Sequence, residues 1–370
     1  MKQQSHDNVK NFSRPATTGS HGGDIYSAEN NLGIDRSKLL DFSANIMPTE
    51  IDENIKSAIC AAIDNCRYYP DPLQRRLRQA LAAHHDLEPD QIVCGNGAAD
   101  LIFRTVHALR PSRAYLPVPS FSEYERALHE SGCEIKHWLL NTATGFRIDD
   151  NMLNWLREME SESTKSSTDK NNESGCRMLI LCQPNNPTGL LIERDILAKV
   201  IDLCAELSIY LFIDECFLDF LGPVRGASYS SMVRLKKPYR EELKLILLRS
   251  MTKYYSLPGL RAGYICTSSE LAGLIIASGQ PWSVSTLTEA AVLAILSRER
   301  RSQLELADQV ELWLSQERPM LEQALRDRGF IVFPGAANFI FFRAQNCPDL
   351  ADQLMQKGII IRSCADYVGL

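Results

Sequence analysis

Lys253 stands just past a run of strand-forming apolar residues in the segment ILLRSMTKYYSLPGLRAGY, residues 246–264. Ser250 precedes it by three positions, and Arg261 follows it by eight, beyond a Leu-Pro-Gly turn. A lysine amine becomes a nucleophile toward an aldehyde when nearby cations or burial make it easier to deprotonate. A serine hydroxyl and an arginine close to it could also bind a phosphate from two sides. The alternative is a lysine in a solvated loop, and this segment alone leaves both interpretations open.

Ser-x-x-Lys is also the pattern of the penicillin-binding enzymes, in which the serine is the nucleophile. Those enzymes need Ser-Asp-Asn and Lys-Thr-Gly segments as well, and neither occurs in this chain. A serine nucleophile is therefore the weaker interpretation of this motif.

Two further segments place polar side chains directly after apolar, strand-like runs. CQPNNPTGLLIE, residues 182–193, contains Asn186 within turn-forming residues, and LFIDECF ends its apolar run on Asp214 and Glu215. The asparagine could belong to a structural turn, but ligands of open α/β sheets bind at the carboxyl ends of strands. Its amide could donate to a phenolate oxygen or a substrate carboxylate. A carboxylate at the end of a buried strand needs a partner, and a protonated pyridine nitrogen would be one.

An earlier segment, VCGNGAADLIF, runs from a strand through two glycines into a helix. The free backbone N–H groups of Gly97, Ala98 and Ala99 would open that helix and could bind a phosphate, although a glycine turn alone is a weak signal. In PSFSEY, Phe121 follows another strand and could stack on a flat ring. A core aromatic is the commoner explanation of any single such residue.

Strands that alternate with amphipathic helices must position these side chains. Apolar runs rich in branched residues predict strands at 91–95, 114–118, 178–184, 209–215 and 243–250. Helical spacing of apolar residues predicts helices in ADLIFRTVHALR and RDILAKVIDLCAEL. Strand–helix–strand order over long distances indicates an α/β fold with a mostly parallel sheet and helices on both faces.

Taken together in chain order, these motifs resemble those of the fold-type I pyridoxal-phosphate enzymes, the aspartate aminotransferase superfamily. The resemblance covers most of the chain and implies a large domain with a mostly parallel seven-stranded sheet and a smaller α+β domain. It implies that Lys253 binds the cofactor aldehyde and later moves protons, and that Asp214 pairs with the pyridine nitrogen. Asn186 would bond the ring hydroxyl, and Phe121 would stack on the ring. The residues that would hold the cofactor phosphate are Ser250, Arg261, Gly97, Ala98 and Ala99.

The same resemblance implies a homodimer. Tyr69, in RYYPDP, matches the tyrosine that this superfamily sends across a dimer interface to the cofactor phosphate. One departure from the pattern is Phe217, because many relatives carry a tyrosine there that donates to the ring oxygen. Asn186 would then be the main donor to that oxygen.

Three segments near the chain ends, SHGGDIYSAENNLGI, LLDFSANIMP and IIIRSCADYVGL, resemble those of the threonine-phosphate decarboxylases. That resemblance implies decarboxylation of L-threonine O-3-phosphate to (R)-1-aminopropan-2-yl phosphate and CO2, for assembly of the cobalamin nucleotide loop. His21, Gly22, Asn45 and Arg362 would then bind this phosphorylated amino acid. His21 could instead be a solvated arm residue, and Asn45 a cap at a strand end. The sibling family is the histidinol-phosphate aminotransferases, and a non-catalytic sensor domain that binds the cofactor or a ligand is the alternative of another class.

A second departure lies at the C-terminus. Relatives continue past the Tyr-x-Gly-Leu segment to a strand with a second arginine that binds the substrate carboxylate, whereas this sequence ends at Leu370. We therefore expect the small domain to lack its last strand and helix, and the activity to be poor. The predicted domains are 1–45 (N-terminal arm and part of the small domain), 46–280 (cofactor-binding, with a mobile insertion at 157–177) and 281–370 (small domain).

Composition excludes several other classes of protein. The 370 residues carry a net charge of −6 that is spread along the chain, which argues against nucleic acid or an acidic membrane surface as partner. No apolar run approaches the roughly 20 residues of a membrane helix, and the N-terminus lacks the apolar centre of a signal peptide. The eleven cysteines form no Cys-x-x-Cys pair, so we expect no metal site and free thiols in a reducing cytoplasm.

Overall fold

Seven strands within the described residues form one mostly parallel sheet in the structure, a computed structural model that describes residues 22–166, 175–236 and 243–370. All strands in these ranges are, in chain order, β1 (Leu40–Asp41), β2 (Ile92–Asn96), β3 (Arg113–Val118), β4 (Glu134–Leu139), β5 (Arg177–Cys182), β6 (Tyr210–Asp214), β7 (Leu245–Ser250), β8 (Ala262–Thr267), β9 (Ile331–Val332), β10 (Phe342–Arg343) and β11 (Ile359–Ile360). The large sheet has the order β2-β8-β7-β6-β5-β3-β4, and only β8 runs antiparallel to its neighbours. The predicted fold class is confirmed.

The helices of the same ranges follow the predicted alternation with the strands. They are α1 (Ile25–Leu32), α2 (Glu53–Ala62), α3 (Arg75–His85), α4 (Gly97–Leu109), α5 (Ser122–Glu130), α6 (Asp150–Ser166), α7 (Arg194–Glu206), α8 (Pro223–Tyr229), α9 (Ser269–Ala277), α10 (Thr286–Leu296), α11 (Arg300–Asp327) and α12 (Leu350–Met355). Among the helices of the described ranges, none combines the length and the apolar character that crossing a bilayer requires.

The sheet is buried on both faces because its strands carry apolar side chains at nearly every position. In β6, Leu211 and Ile213 join one hydrophobic cluster, whereas Phe212 between them joins a second. Successive side chains of a strand point to opposite faces, so these two clusters are the two sides of the sheet. Val200 of α7 belongs to the first cluster and Leu101 of α4 to the second, which places helices on both faces. This double burial explains the near-continuous apolar runs of the sequence.

By its internal contacts the chain divides into two units. Of the described residues, the larger unit contains those within Ile46–Gln345 and Tyr367–Leu370, and the smaller contains those from 22 to 45 together with Asn346–Asp366. In the smaller unit, β1 pairs in parallel with β11; in the larger, β9 pairs antiparallel with β10. The predicted domain limits, with a small domain from residue 281, stay a prediction.

The segment predicted as a mobile insertion, residues 157–177, overlaps regular structure at both ends. Its first ten residues continue α6, and its last residue, Arg177, begins β5. Glu160 on this helix is buried and accepts hydrogen bonds from Tyr115 and Arg177. Residues 167–174 lie outside the described residues, so the predicted mobility of the segment stays a prediction.

Candidate active site

The carboxyl ends of neighbouring strands bring the predicted site residues of the larger unit to one edge of the sheet. Asp214 is the last residue of β6 and pairs in register with Cys182, the last residue of β5. Ser250 ends β7, and the register of β8 places it opposite Gly263, which in turn lies opposite Gly95 of β2. Parallel packing thus converts motifs that are far apart in sequence into one site.

Asp214 places a buried, hydrogen-bonded carboxylate at this edge. Its side chain is buried, with 5% exposure of the residue. One carboxylate oxygen, Oδ2, accepts a hydrogen bond of 2.6 Å from the Tyr124 hydroxyl, and Oδ1 accepts one of 2.9 Å from the backbone N–H of Cys216. Within the described ranges, no lysine, arginine or histidine forms an ion pair with this carboxylate. A buried negative charge with only neutral partners is costly and calls for a cationic group.

Two cysteine thiols show that Lys253 and Asp214 act on the same small volume. Burial raises the pKa of the Cys182 thiol to about 12; the Asp214 carboxylate adds to this shift, and Lys253 opposes it. Burial, again with Asp214, raises the pKa of the Cys216 thiol well above its usual value, and Lys253 once more acts in the opposite direction. Both thiols therefore remain protonated at neutral pH, and both lie within electrostatic reach of the amine and the carboxylate.

Lys253 follows β7 by three residues and is held at the backbone, where its carbonyl accepts a hydrogen bond of 2.9 Å from the N–H of Met47. The side chain is half-buried, and its Nζ lies 4.8 Å from the centroid of the Phe217 ring. Phe217 itself is buried against Phe220 and Phe339. The face of an aromatic ring attracts a cation. Phe217, the residue that departs from the superfamily pattern, thus contacts the Lys253 amine but has no hydroxyl that could donate a hydrogen bond.

The predicted phosphate group of residues forms a compact corner. A Cβ added at Gly97 would lie 2.5 Å from Nη2 of Arg261, so the guanidinium lies directly against the first turn of α4. Asn96, the N-cap residue of α4, makes no side-chain capping hydrogen bond, and the N–H groups of this turn are therefore available to an anion. Gly263 packs closely against this turn, since a Cβ at that position would lie 2.8 Å from the N of Ala98. Ser250, buried at the end of β7, completes the corner.

Phe121 and Asn186 stand at the ends of two further strands. Phe121 is the N-cap residue of α5, and its half-buried ring packs edge-to-face on Tyr124 at a centroid distance of 5.5 Å. Asn186 is half-buried, and its neighbour Asn185 fixes the loop by donating from Nδ2 to the Pro119 carbonyl at 3.1 Å. The hydrogen bond from Asn185 to Pro119 therefore ties the two strand-end loops together, next to the predicted residues Asn186 and Phe121.

Among the remaining predicted residues, Tyr69 belongs to the larger unit, and Arg362 and Asn45 belong to the smaller. Tyr69 is 81% exposed and packs on Trp282 at a ring distance of 4.8 Å. In the smaller unit, Nη2 of Arg362 donates to both carboxylate oxygens of Asp366 at 3.1 and 3.0 Å, and Asn45 is half-buried.

Gly22 also belongs to the smaller unit. A Cβ there would lie 1.9 Å from the Ser43 carbonyl oxygen, so this position requires glycine. His21 lies outside the described residues. The predicted contacts of these groups with a substrate stay predictions.

Tyr124 is a residue of the site that the sequence analysis missed. It lies three positions after Phe121, one turn into α5, and is completely buried. Burial and the charge of Asp214 raise the pKa of its hydroxyl well above the usual value, so it keeps its proton and donates. The signal in the sequence is the spacing alone, because a polar aromatic one helical turn after a strand end can point back to the same edge of the sheet.

Pyridoxal phosphate, the cofactor that the superfamily resemblance implies, has an aldehyde, a phosphate and a ring nitrogen that can hold a proton. This edge of the sheet offers a counterpart to each: the Lys253 amine, the corner at Gly97 and Arg261, and the Asp214 carboxylate. The observation that tests the fit is the buried Asp214 without a cationic partner, since a protonated ring nitrogen supplies the missing charge. The residues present therefore fit this cofactor.

Comparisons with known proteins agree with this geometry. Residues 37–368 match the sequence pattern described as aminotransferase class I and II. The threonine-phosphate decarboxylase of Salmonella typhimurium (strain LT2) is 37% identical over 354 residues, which are 95% of this chain and 89% of that protein. The adenosylcobalamin biosynthesis bifunctional protein CobDQ of Leptospira interrogans is 29% identical and covers 95% of this chain but 38% of its own length. The solved histidinol-phosphate aminotransferase from Clostridium acetobutylicum is 30% identical with a TM-score of 0.75, covering 90% of this chain and 91% of that one. The chain therefore belongs to the aminotransferase class I and II family, which confirms the resemblance drawn from its motifs.

Proposed function

We propose that this protein is a pyridoxal-phosphate-dependent decarboxylase of L-threonine O-3-phosphate. The observation that carries the proposal is the 37% identity to a threonine-phosphate decarboxylase along 95% of the chain, on a site whose residues fit the cofactor. The product would be (R)-1-aminopropan-2-yl phosphate. Cobalamin nucleotide-loop assembly is the proposed pathway, supported by the relative that carries adenosylcobalamin biosynthesis in its name.

Each residue of the cofactor site would have one task. When bound, pyridoxal phosphate supplies an electron sink for the bond that breaks at the substrate Cα. Lys253 would bind the aldehyde carbon and later return a proton to Cα in place of the carboxylate that leaves as CO2. Asp214 would keep a proton on the ring nitrogen. Asn186 would donate to the ring oxygen, because Phe217 has no hydroxyl.

The substrate phosphate would be bound by Arg362, with His21, Gly22 and Asn45 contributing from the N-terminal part of the chain. Arg362 already holds an anion, the carboxylate of Asp366. A phosphate carries more charge than a carboxylate and matches the planar guanidinium in a bidentate fashion. A substrate phosphate would thus compete with Asp366 for this side chain. A firm hold on the phosphate would orient the substrate and so decide which bond at Cα breaks.

Product analysis tests the reaction. The protein is supplied with pyridoxal phosphate and L-threonine O-3-phosphate, and CO2 and the phosphorylated amine are measured. We expect one CO2 for each amine, and no product from Lys253→Ala. Borohydride treatment of the cofactor-loaded wild type should attach a pyridoxyl group to Lys253, which peptide mapping detects. A folded protein that binds the cofactor but releases no CO2 would exclude the decarboxylase and leave the aminotransferase and the sensor function.

Histidinol-phosphate aminotransferase is the second candidate, because the solved structure from Clostridium acetobutylicum is 30% identical over 90% of the chain. Incubation with histidinol phosphate and 2-oxoglutarate tests it directly. Glutamate formation at a rate above CO2 release from L-threonine O-3-phosphate would favour the aminotransferase. The relative rates with the two substrates therefore decide between the candidates.

The protein is further proposed to be a homodimer in the cytoplasm. An exposed aromatic patch formed by Tyr68, Tyr69 and Trp282, with exposures of 65%, 81% and 46%, supports an interface in this region. All eleven cysteines lie in described residues and are free thiols, as expected in a reducing compartment. Sedimentation of the purified protein tests the dimer, and Tyr69→Ala should weaken both the dimer and cofactor affinity.

A further inference from the structure

The hydrogen bond between Tyr124 and Asp214 joins the cofactor site to a residue that the function proposed above does not use. The hydroxyl lies 2.6 Å from Oδ2, within the range of strong O–H···O⁻ bonds, and the tyrosine has no exposed surface. Cys216 fixes the other oxygen through its N–H at 2.9 Å. Donors on both oxygens fix the plane of the Asp214 carboxylate, and a lone pair remains that can accept a further donor.

The direction of this hydrogen bond is determined by the surroundings. An ionised carboxylate can only accept, and the phenol keeps its proton because burial and the neighbouring negative charge oppose its ionisation. The other titratable groups around the carboxylate are Cys182, Cys216 and Lys253. Both thiols stay protonated for the same reason as the phenol. The Tyr124 hydroxyl is therefore the strongest neutral donor that the carboxylate has.

A proton shared between the Asp214 carboxylate and a ring nitrogen can reside on the carboxylate oxygen or on the nitrogen. A hydrogen bond to the ionised form of a carboxylate favours that form. By donating to Oδ2, Tyr124 makes the carboxylate a poorer proton acceptor, and the proton is then more stable on the nitrogen. A protonated nitrogen withdraws electrons far better than a neutral one, so this contact bears on the rate of bond cleavage at the substrate Cα.

We propose that Tyr124 is a positioning residue of the reaction: it orients Asp214 and holds it ionised, so that the proton shared with the cofactor stays on the ring nitrogen. This inference rests on the function proposed above. It assigns to α5 a part in cofactor chemistry in addition to the stacking residue at its N-cap, Phe121.

The test is Tyr124→Phe, which removes one oxygen and keeps the buried ring. The protein is loaded with pyridoxal phosphate labelled with ¹⁵N in the ring, and the ¹⁵N NMR signal reports whether the nitrogen carries a proton. We expect a protonated nitrogen in the wild type and a signal displaced toward the unprotonated form in the variant. We also expect kcat to fall about 10- to 100-fold with little change in KM. A fall of this size corresponds to the loss of one hydrogen bond to a charged group.

Tyr115→Phe is the matched control. Tyr115 is equally buried and its hydroxyl also donates to a carboxylate, that of Glu160 on α6. This control removes the same atom from a similar contact outside the site, and the ring-nitrogen signal should not change. A loss of stability shared by both variants is thereby separated from an effect on the cofactor.

The outcomes distinguish this inference from the proposed function. An identical ¹⁵N signal in wild type and Tyr124→Phe, with turnover intact, would overturn the role of Tyr124 and leave the decarboxylase standing. An unprotonated nitrogen in the wild type would overturn it too, and that measurement needs no variant. A wild type that binds no pyridoxal phosphate would overturn both proposals.

Discussion

Substitution of Gly97 by alanine directly tests the phosphate corner, which is formed by the first turn of α4, Arg261 and Ser250. Gly97 has φ of +84°, a left-handed conformation that costs a residue with a Cβ about 1–2 kcal/mol. The new Cβ would lie 2.5 Å from Nη2 of Arg261, whereas ordinary contacts between such atoms begin near about 3.5 Å, so the guanidinium must move by about 1 Å. Such a shift removes or weakens one charge-assisted hydrogen bond to the phosphate, a loss of about 1.5–3 kcal/mol.

From these magnitudes we expect Gly97→Ala to bind pyridoxal phosphate about 10- to 100-fold more weakly than the wild type. Cofactor titration followed by the visible absorbance measures the affinity, and urea unfolding of the cofactor-free protein measures the strain separately. The backbone strain should lower the stability of the protein with and without the cofactor. The loss of the phosphate contact should lower only the cofactor affinity that the titration measures.

Gly273→Ala is the matched control. Gly273 lies exposed within α9, and a Cβ there would contact nothing within 4 Å. Alanine inside a helix should stabilise this protein by about 0.5–1 kcal/mol and leave cofactor affinity unchanged. If Gly97→Ala bound the cofactor as tightly as this control, the turn of α4 and Arg261 would not form the phosphate site, and the reasoning would be refuted.

Three further predictions concern the surroundings of the site. Phe217→Tyr adds a hydroxyl close to the Lys253 amine, and donation to the cofactor's ring oxygen should lower the pH midpoint of the bound cofactor's visible absorbance; an unchanged midpoint would count against that contact. Glu215→Ala removes the buried partner of Arg249 at 3.1 Å and leaves that guanidinium with the more exposed carboxylate of Asp219, so urea unfolding should show a loss of about 3 kcal/mol; a loss below about 1 kcal/mol would contradict a buried ion pair. Burial and the charge of Arg249 lower the pKa of His85 to about 2, below the unfolded value of about 6.5, so its stabilising effect is complete above about pH 6.5 and is lost as the pH falls. Urea unfolding of His85→Gln should therefore show a shallower loss of stability toward about pH 5, by up to about 1.4 kcal/mol per pH unit, and equal slopes would reject this assignment.

The predicted strands were confirmed where apolar runs reflect burial on both faces, as in β5, β6 and β7. β4 could not be predicted from an apolar run, because this edge strand is only partly buried and carries Glu134, Lys136 and His137. The antiparallel orientation of β8 could not be predicted from the sequence either, since side chains alternate in the same way in parallel and antiparallel strands. In the region predicted as the small domain, β9 and β10 are two residues each and partly exposed.

The closeness of the predicted site residues in the larger unit could be expected from the sequence, because each motif ends a strand and strand ends of a parallel sheet converge. The neutral hydrogen-bond partners of Asp214 could not be predicted, since Tyr124 lies 90 positions away and its contact depends on the packing of α5. For the same reason, the contact of Arg261 with Gly97 depends on the position of β8 beside β2. The order of motifs thus identifies the chemistry, and tertiary packing determines how the charges are balanced.

The sheet order has a consequence for how the protein matures. The phosphate corner joins residues about 150 positions apart in the chain, because β2 reaches β7 only through β8, the last of the seven strands to be synthesised. A ribosome-bound chain that ends before Thr267 has the glycine turn but no partner strand for it, and the entropy of closing so long a loop opposes early pairing. We therefore expect the protein to bind pyridoxal phosphate only late in its synthesis. Nascent chains of increasing length should begin to bind the cofactor abruptly once β8 has left the ribosomal exit tunnel.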